Sequence, residues 1–213
     1  GHWPGEHVPS GKARIGKALI WRTLDDGRPI YGRRLTADEV RARIERCHRP
    51  YHAALRELLD AAHQAFGVVV HLNCHSMNAV AGAMGERGLD CAAGAPAGAA
   101  GAGPARADIV LGDRDGTSCD PALTAFVRDV LVAQGYRGKI NDPFKGVELV
   151  RAFSDPATGR HSLQIEVNKR LYMDEATRTR HDGFDRLQSD LMTLLDAMCR
   201  QRLAGPSPSQ TRR

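Results

Sequence analysis

The chain has 213 residues, enough for one globular domain with a sizeable core. Its 42% hydrophobic and 26% charged content is that of a folded soluble protein, and no apolar run approaches the ~20 residues that span a membrane. The net charge of +5 is spread among acids, and with aromatics at 5% no basic run offers rings for stacking on bases. Nucleic acid is therefore excluded, and a small anionic ligand suits the charge better.

Residues 1–35 carry no strong period, and Gly27-Arg28-Pro29 reads as a turn. Thr36 and Glu39 form a capping box. Val40, Ile44, Cys47, Tyr51, Leu55, Leu58, Ala62 and Phe66 then recur every three or four residues, predicting one long helix kinked at Pro50 and stopped by Gly67. Residues 68–73, Val-Val-Val-His-Leu-Asn, predict a buried strand ending at Cys74-His75-Ser76-Met77. Residues 92–105 are almost pure Ala, Gly and Pro, which reads as a flexible loop.

A second strand is expected over Ala107 to Leu111, leading into Gly112-Asp113-Arg114-Asp115-Gly116. A helix follows from Asp120 as N-cap and Pro121 in the first turn to Gly135, then a short strand within Tyr136 to Asn141. Ser162 to Asn168 alternates, with Leu163, Ile165 and Val167 facing one way and Gln164, Glu166 and Asn168 the other. The last helix spans Asp182 to Leu203, with Phe184, Leu187, Leu191, Leu194, Leu195 and Met198 as its apolar face. Helices alternating with short apolar strands imply a three-layer α/β fold around a mostly parallel sheet. A single domain over 1–203 and a disordered tail over 204–213 are expected.

The chemistry-bearing residues sit beside the strands. His75, at a strand's carboxyl end, reads as a zinc ligand or as a hydrogen-bonded strand cap. Asn73 shares its face and is a candidate to orient the imidazole. Ser76 adjoins His75, but no G-x-S-x-G elbow supports a serine nucleophile. Glu166 reads as a general base facing a pocket, or as one polar residue on the solvent side of an edge strand. Arg114 and Arg137 are candidate forks for a substrate carboxylate, with surface salt bridges as the alternative. Five scattered cysteines without a C-x-x-C pair form neither a disulfide framework nor a zinc finger, and a cytoplasmic protein with reduced thiols is expected.

Arg49-Pro50-Tyr51-His52, Cys74-His75-Ser76-Met77, Leu111-Gly112-Asp113-Arg114 and the segment from Leu163 to Met173 together resemble the N-formylglutamate amidohydrolase family, across roughly residues 19 to 200. The resemblance implies a fold like those of zinc carboxypeptidases and aspartoacylases. It also implies a divalent metal, by expectation zinc, and hydrolysis of N-formyl-L-glutamate late in histidine breakdown. Under it His75 is a metal ligand and Glu166 the general base. Arg114, Arg137 and Asn168 then hold substrate carboxylates, and Asn73 and Ser76 stand behind the metal ligand. The family usually has Asp at the position of Asn73. It also draws further ligands from an upstream strand with a His-Ser-Gly motif and a later Asn-Arg pair, which these residues do not contain. His2 and Glu6 lack the preceding apolar strand, so an N-terminal segment is expected to be missing. A related N-acyl amino acid deacylase and a truncated non-catalytic relative are the alternatives.

Overall fold

The computed structural model describes residue 13 and residues 16–17, 19–24, 27–80 and 104–201. Residues 92–103 of the loop expected over 92–105, the pair His2 and Glu6, and the tail over 204–213 lie outside them. The chain forms two compact units, one from residues 1–55 with 80–105 and the other from 56–79 with 106–213.

In the first unit Thr23 bridges Pro29 around the expected turn, where Gly27 takes the left-handed backbone that glycine tolerates. Helix α1 spans Ala37–Arg43, and its capping box is present: Thr36 Oγ1 accepts from the Glu39 N–H and Glu39 answers to the Thr36 N–H. Arg33 grips the same carboxylate and holds it down at about 2, well below the usual carboxylate range. A π-helical turn over Ile44–His48 then leads into α2, Arg49–Phe66. Pro50 explains the turn: its ring crowds the carbonyl four residues back and offers no N–H, and a widened turn relieves both.

That turn also corrects the expected apolar face. An extra residue in one turn shifts the face partway: Leu55 and Ala62 stay half-buried as expected and Leu59 is buried, while Leu58 and Phe66 are 70% and 78% exposed. The helix ends at Gly67 as expected, with φ +71 and its N–H on the His63 carbonyl.

The second unit is built on a four-stranded sheet of order β1-β4-β2-β3, with β1 Val69–Met77, β2 Ile109–Gly112, β3 Gly138–Ile140 and β4 Arg160–Asn168. Strands β1 and β4 run parallel, as do β2 and β3, and the two pairs meet antiparallel. The architecture is α/β with a mixed, mostly parallel sheet.

Three helices flank it. Helix α3, Pro121–Ala133, starts at the expected cap, the Asp120 side chain taking the Ala122 N–H. Leu123, Val127 and Leu131 of α3 pack with Leu187 and Leu194 of α5, Gly183–Arg200, on Ile109, Leu111, Leu163, Ile165 and Val167. Of the face expected for α5, Leu195 is exposed instead. The short helix α4, Glu148–Ala152, lies across the other face with Val150 fully buried. No helix among the described residues is long and apolar enough to cross a membrane.

The far end of the sheet buries two histidines. His71 Nδ1 is 2.8 Å from Ser162 Oγ with the Phe153 ring edge-on, and His161 Nδ1 accepts the Asp120 N–H at 3.2 Å. Burial pushes both imidazoles below their ordinary 6.5. The folded state therefore binds protons less well than the unfolded chain. Stability is expected to be level above pH 6.5 and to fall as pH drops from there toward the depressed values. Urea midpoints at pH 7.5, 6 and 5 check this, and a flat or rising series would contradict it.

Candidate active site

Two parallel strands bring the two expected residues together. His75 and Glu166 are direct partners in the β1–β4 register, so both side chains leave the same face of the sheet, near the carboxyl ends of their strands. His75 Nδ1 lies 3.7 Å from Glu166 Oε1. The imidazole is 37% exposed and the carboxylate 7%, so one partner meets solvent while the other is sheltered behind it. Strand β1 continues through His75 to Met77, because pairing with β4 persists as far as Asn168.

Sheet order removes the edge-strand reading of Glu166. β4 has β1 on one side and β2 on the other, and His161 to Asn168 are all buried. The polar side of the alternation is thus an interior surface, not the wet side of an edge strand.

Gln164, on the same polar side of the alternation, holds Glu166. Its Nε2 donates to Glu166 Oε1 at 2.8 Å, and its Oε1 accepts the Val147 N–H at 2.9 Å. The backbone donor dictates which end of the amide faces the carboxylate. Val147 reaches this position because Gly112 has no side chain: a Cβ there would stand 2.6 Å from the Gly146 nitrogen and 2.8 Å from the Lys145 carbonyl carbon.

Asn73 shares the face of His75, and its Nδ2 is buried with no hydrogen-bond partner among the described residues. Ser76 alternates to the other face with Leu72 and Cys74, so it does not stand behind the imidazole. Asn168 spends both polar atoms on backbone: Nδ2 donates to Ala107 O and Oδ1 accepts the Arg170 N–H. It caps the chain as it leaves β4.

The two arginines part company. β2 runs against β4, so Arg137, which precedes β3, lies toward the same strand ends as His75 and Glu166, but beside the edge strand opposite β1. Its backbone N–H and its guanidinium both reach Asp108, which Arg170 also grips. Its side chain is otherwise exposed. Arg114 follows the other end of β2, about four residues or ~13 Å along the sheet from Glu166. Its backbone is left-handed and its guanidinium sits on the Gly146 carbonyl at 3.3 Å, so it braces the loop crossing Gly112. Asp113 ties the turn after β2 to the end of β3, accepting the Gly116 N–H and the Asn141 amide.

Sequence spacing also gave no hint that the segments leaving β1 and β4 are tied together. Lys169 Nζ donates to Asn78 Oδ1 at 2.8 Å, and Glu175 accepts the Ala79 N–H at 2.6 Å.

The described residues fall short of a metal centre. A catalytic zinc takes three protein ligands. No group of three or more His, Cys, Asp or Glu among the described residues is placed to hold an ion. The one orphaned polar atom beside His75 is an amide donor, which does not coordinate a cation.

Comparison with known proteins converges on one family. Residues 5–173 match the model of the N-formylglutamate amidohydrolase family. N-formylglutamate deformylases of Pseudomonas putida and Pseudomonas aeruginosa are 30% and 31% identical over 156 residues, which is 72% of this chain. A crystal structure of N-formylglutamate amidohydrolase from Ralstonia eutropha JMP134 superimposes with a TM-score of 0.79 at 45% identity, over 93% of this chain and 66% of that one. The chain spans 52%, about half, of the length of the two deformylases. Sheet, motif positions and family match agree: the chain belongs to the N-formylglutamate amidohydrolase family.

Proposed function

We propose that this chain carries the proton-transfer half of an amide hydrolase acting on N-formyl-L-glutamate. The observation that carries the reading is the sheltered carboxylate of Glu166, in register with His75 at the strand ends and locked by Gln164. Water adds to the formyl carbon, Glu166 takes its proton, and the C–N bond breaks as that proton passes to the leaving amine. The products are formate and glutamate. Arg137, toward the same strand ends, is the candidate to serve a substrate carboxylate.

The reading extends to a divalent metal, zinc by family resemblance, with His75 as one ligand, and to a cytoplasmic role in histidine breakdown. The metal requires ligands that the described residues do not supply. That shortfall favours a second reading, a relative that binds ligand without turnover.

Formate release separates the two. Purified chain supplied with zinc is expected to liberate formate from N-formyl-L-glutamate and to act more slowly on N-acetyl-L-glutamate. No formate from either substrate would leave the non-catalytic reading.

A further inference from the structure

Arg137 does not stand alone at its strand ends. Asp108 precedes β2, and its carbonyl accepts the Asn168 N–H at 2.8 Å, so the β2–β4 register runs one residue further. That sets Asp108 on the face of Glu166, two residues along and one strand across, roughly 8 Å away between backbone positions. Its carboxylate is buried, and two guanidinium groups close on it. Arg137 gives Oδ2 its backbone N–H at 2.8 Å and its Nε at 3.4 Å, and Arg170 reaches Oδ1.

Each arginine is also anchored through its backbone. The Asp108 N–H donates to the Arg137 carbonyl at 3.0 Å. Asn168 Oδ1 takes the Arg170 N–H at 3.1 Å, and His181 Nε2 lies 3.0 Å from the Arg170 carbonyl. One carboxylate neutralises one guanidinium, so the group keeps a surplus positive charge. The arginine side chains are 64% and 42% exposed, which turns that surplus toward solvent. Lys169 points elsewhere, onto Asn78 Oδ1 beyond the end of β1.

We propose, on the amide-hydrolase reading above, that Arg170 and Arg137 together bind the side-chain carboxylate of an acidic amino-acid substrate and so select acidic substrates over neutral ones. A planar guanidinium offers its N–H groups in a fork that matches a carboxylate. Among the described residues, no hydrogen bond takes the Nη1 of either arginine. Asp108 holds both side chains before a ligand arrives, so little rotamer freedom is lost on binding. Ligands of open α/β sheets sit beyond the carboxyl ends of strands, and Arg170 follows that end of β4.

The test is calorimetric titration of the full chain with L-glutamate and with L-glutamine, which differ only in the side-chain carboxylate. The wild type is expected to bind glutamate at least ~tenfold more tightly, the scale of one charge-assisted hydrogen bond. Arg170→Gln should remove that difference. Arg128→Gln, which takes the same charge from a surface pair with Asp129 on α3, should keep it. Arg170→Gln leaves Asp108 paired with Arg137, and circular dichroism verifies the fold. Should it not fold, Arg170→Lys keeps the charge, loses the fork and should narrow the difference. The proposal is overturned if the wild type binds the two amino acids alike or binds neither. It is equally overturned if the Arg170 variant keeps the full difference, or if Arg128→Gln removes it. No outcome reads formate, so a failure of this subsite and a failure of hydrolysis are told apart.

Discussion

Glu166→Gln is expected to lower turnover of N-formyl-L-glutamate at least ~100-fold, the usual scale for a positioned general base. That is about 2.7 kcal/mol of transition-state stabilisation. The substitution keeps size and shape, and the new amide oxygen can still accept from Gln164, so the buried network survives. What is lost is the capacity to take a proton from water. The loss should therefore appear in kcat with KM nearly unchanged. Single-point kinetics would not suffice; full saturation curves with a melting temperature for each protein are required. An unaltered kcat would remove Glu166 from the role and leave it a buried partner of His75.

The second large effect is on stability. Gly112→Ala places a methyl group 2.6 Å from the Gly146 nitrogen, 2.8 Å from the Lys145 carbonyl carbon and 3.0 Å from the Phe144 oxygen. All three are backbone atoms, so no side chain can swing aside, and the loop over residues 144–147 must lift off the sheet. Overpacking of this kind costs about 3 kcal/mol, which lowers the melting temperature of a chain this size by roughly 6–12 °C. Gly32→Ala is the control: a Cβ there meets nothing within 4 Å, so its melting temperature should be that of the parent. The lifted loop also withdraws the Val147 N–H from Gln164, loosening the amide that orients Glu166. A Gly112→Ala melting temperature equal to the control's would mean that the loop closes over the sheet less tightly than these distances state.

Much of the local structure was legible because its causes are local. The capping box at Thr36, the stop at Gly67, the Asp120–Pro121 start of α3 and the alternation of β4 each depend on residues a few positions apart. The apolar face of α2 departs in part from its helical period, at Leu58 and Phe66, for a reason that is also local. Pro50 forces a π-helical turn, and a rule of 3.6 residues per turn does not carry across it. Leu195 is exposed because helix periodicity marks an apolar stripe without saying how wide a strip the neighbouring layer covers.

The candidate site divides in the same way. His75 and Glu166 stood out in the sequence as polar residues in apolar strands, and the motifs around them pointed to the family. By itself the sequence determined which strands carry these side chains, because alternation fixes the face on which each one leaves. The tertiary structure alone decided that the strands are neighbours in direct register, that the polar face of β4 is interior, and that Gln164 holds Glu166. It also sent Arg137 and Arg114 toward opposite ends of the strands and set Ser76 facing away from the imidazole. These outcomes depend on strand order and direction. Strand order is set by how distant apolar faces bury one another, and that information lies in no single stretch of the chain.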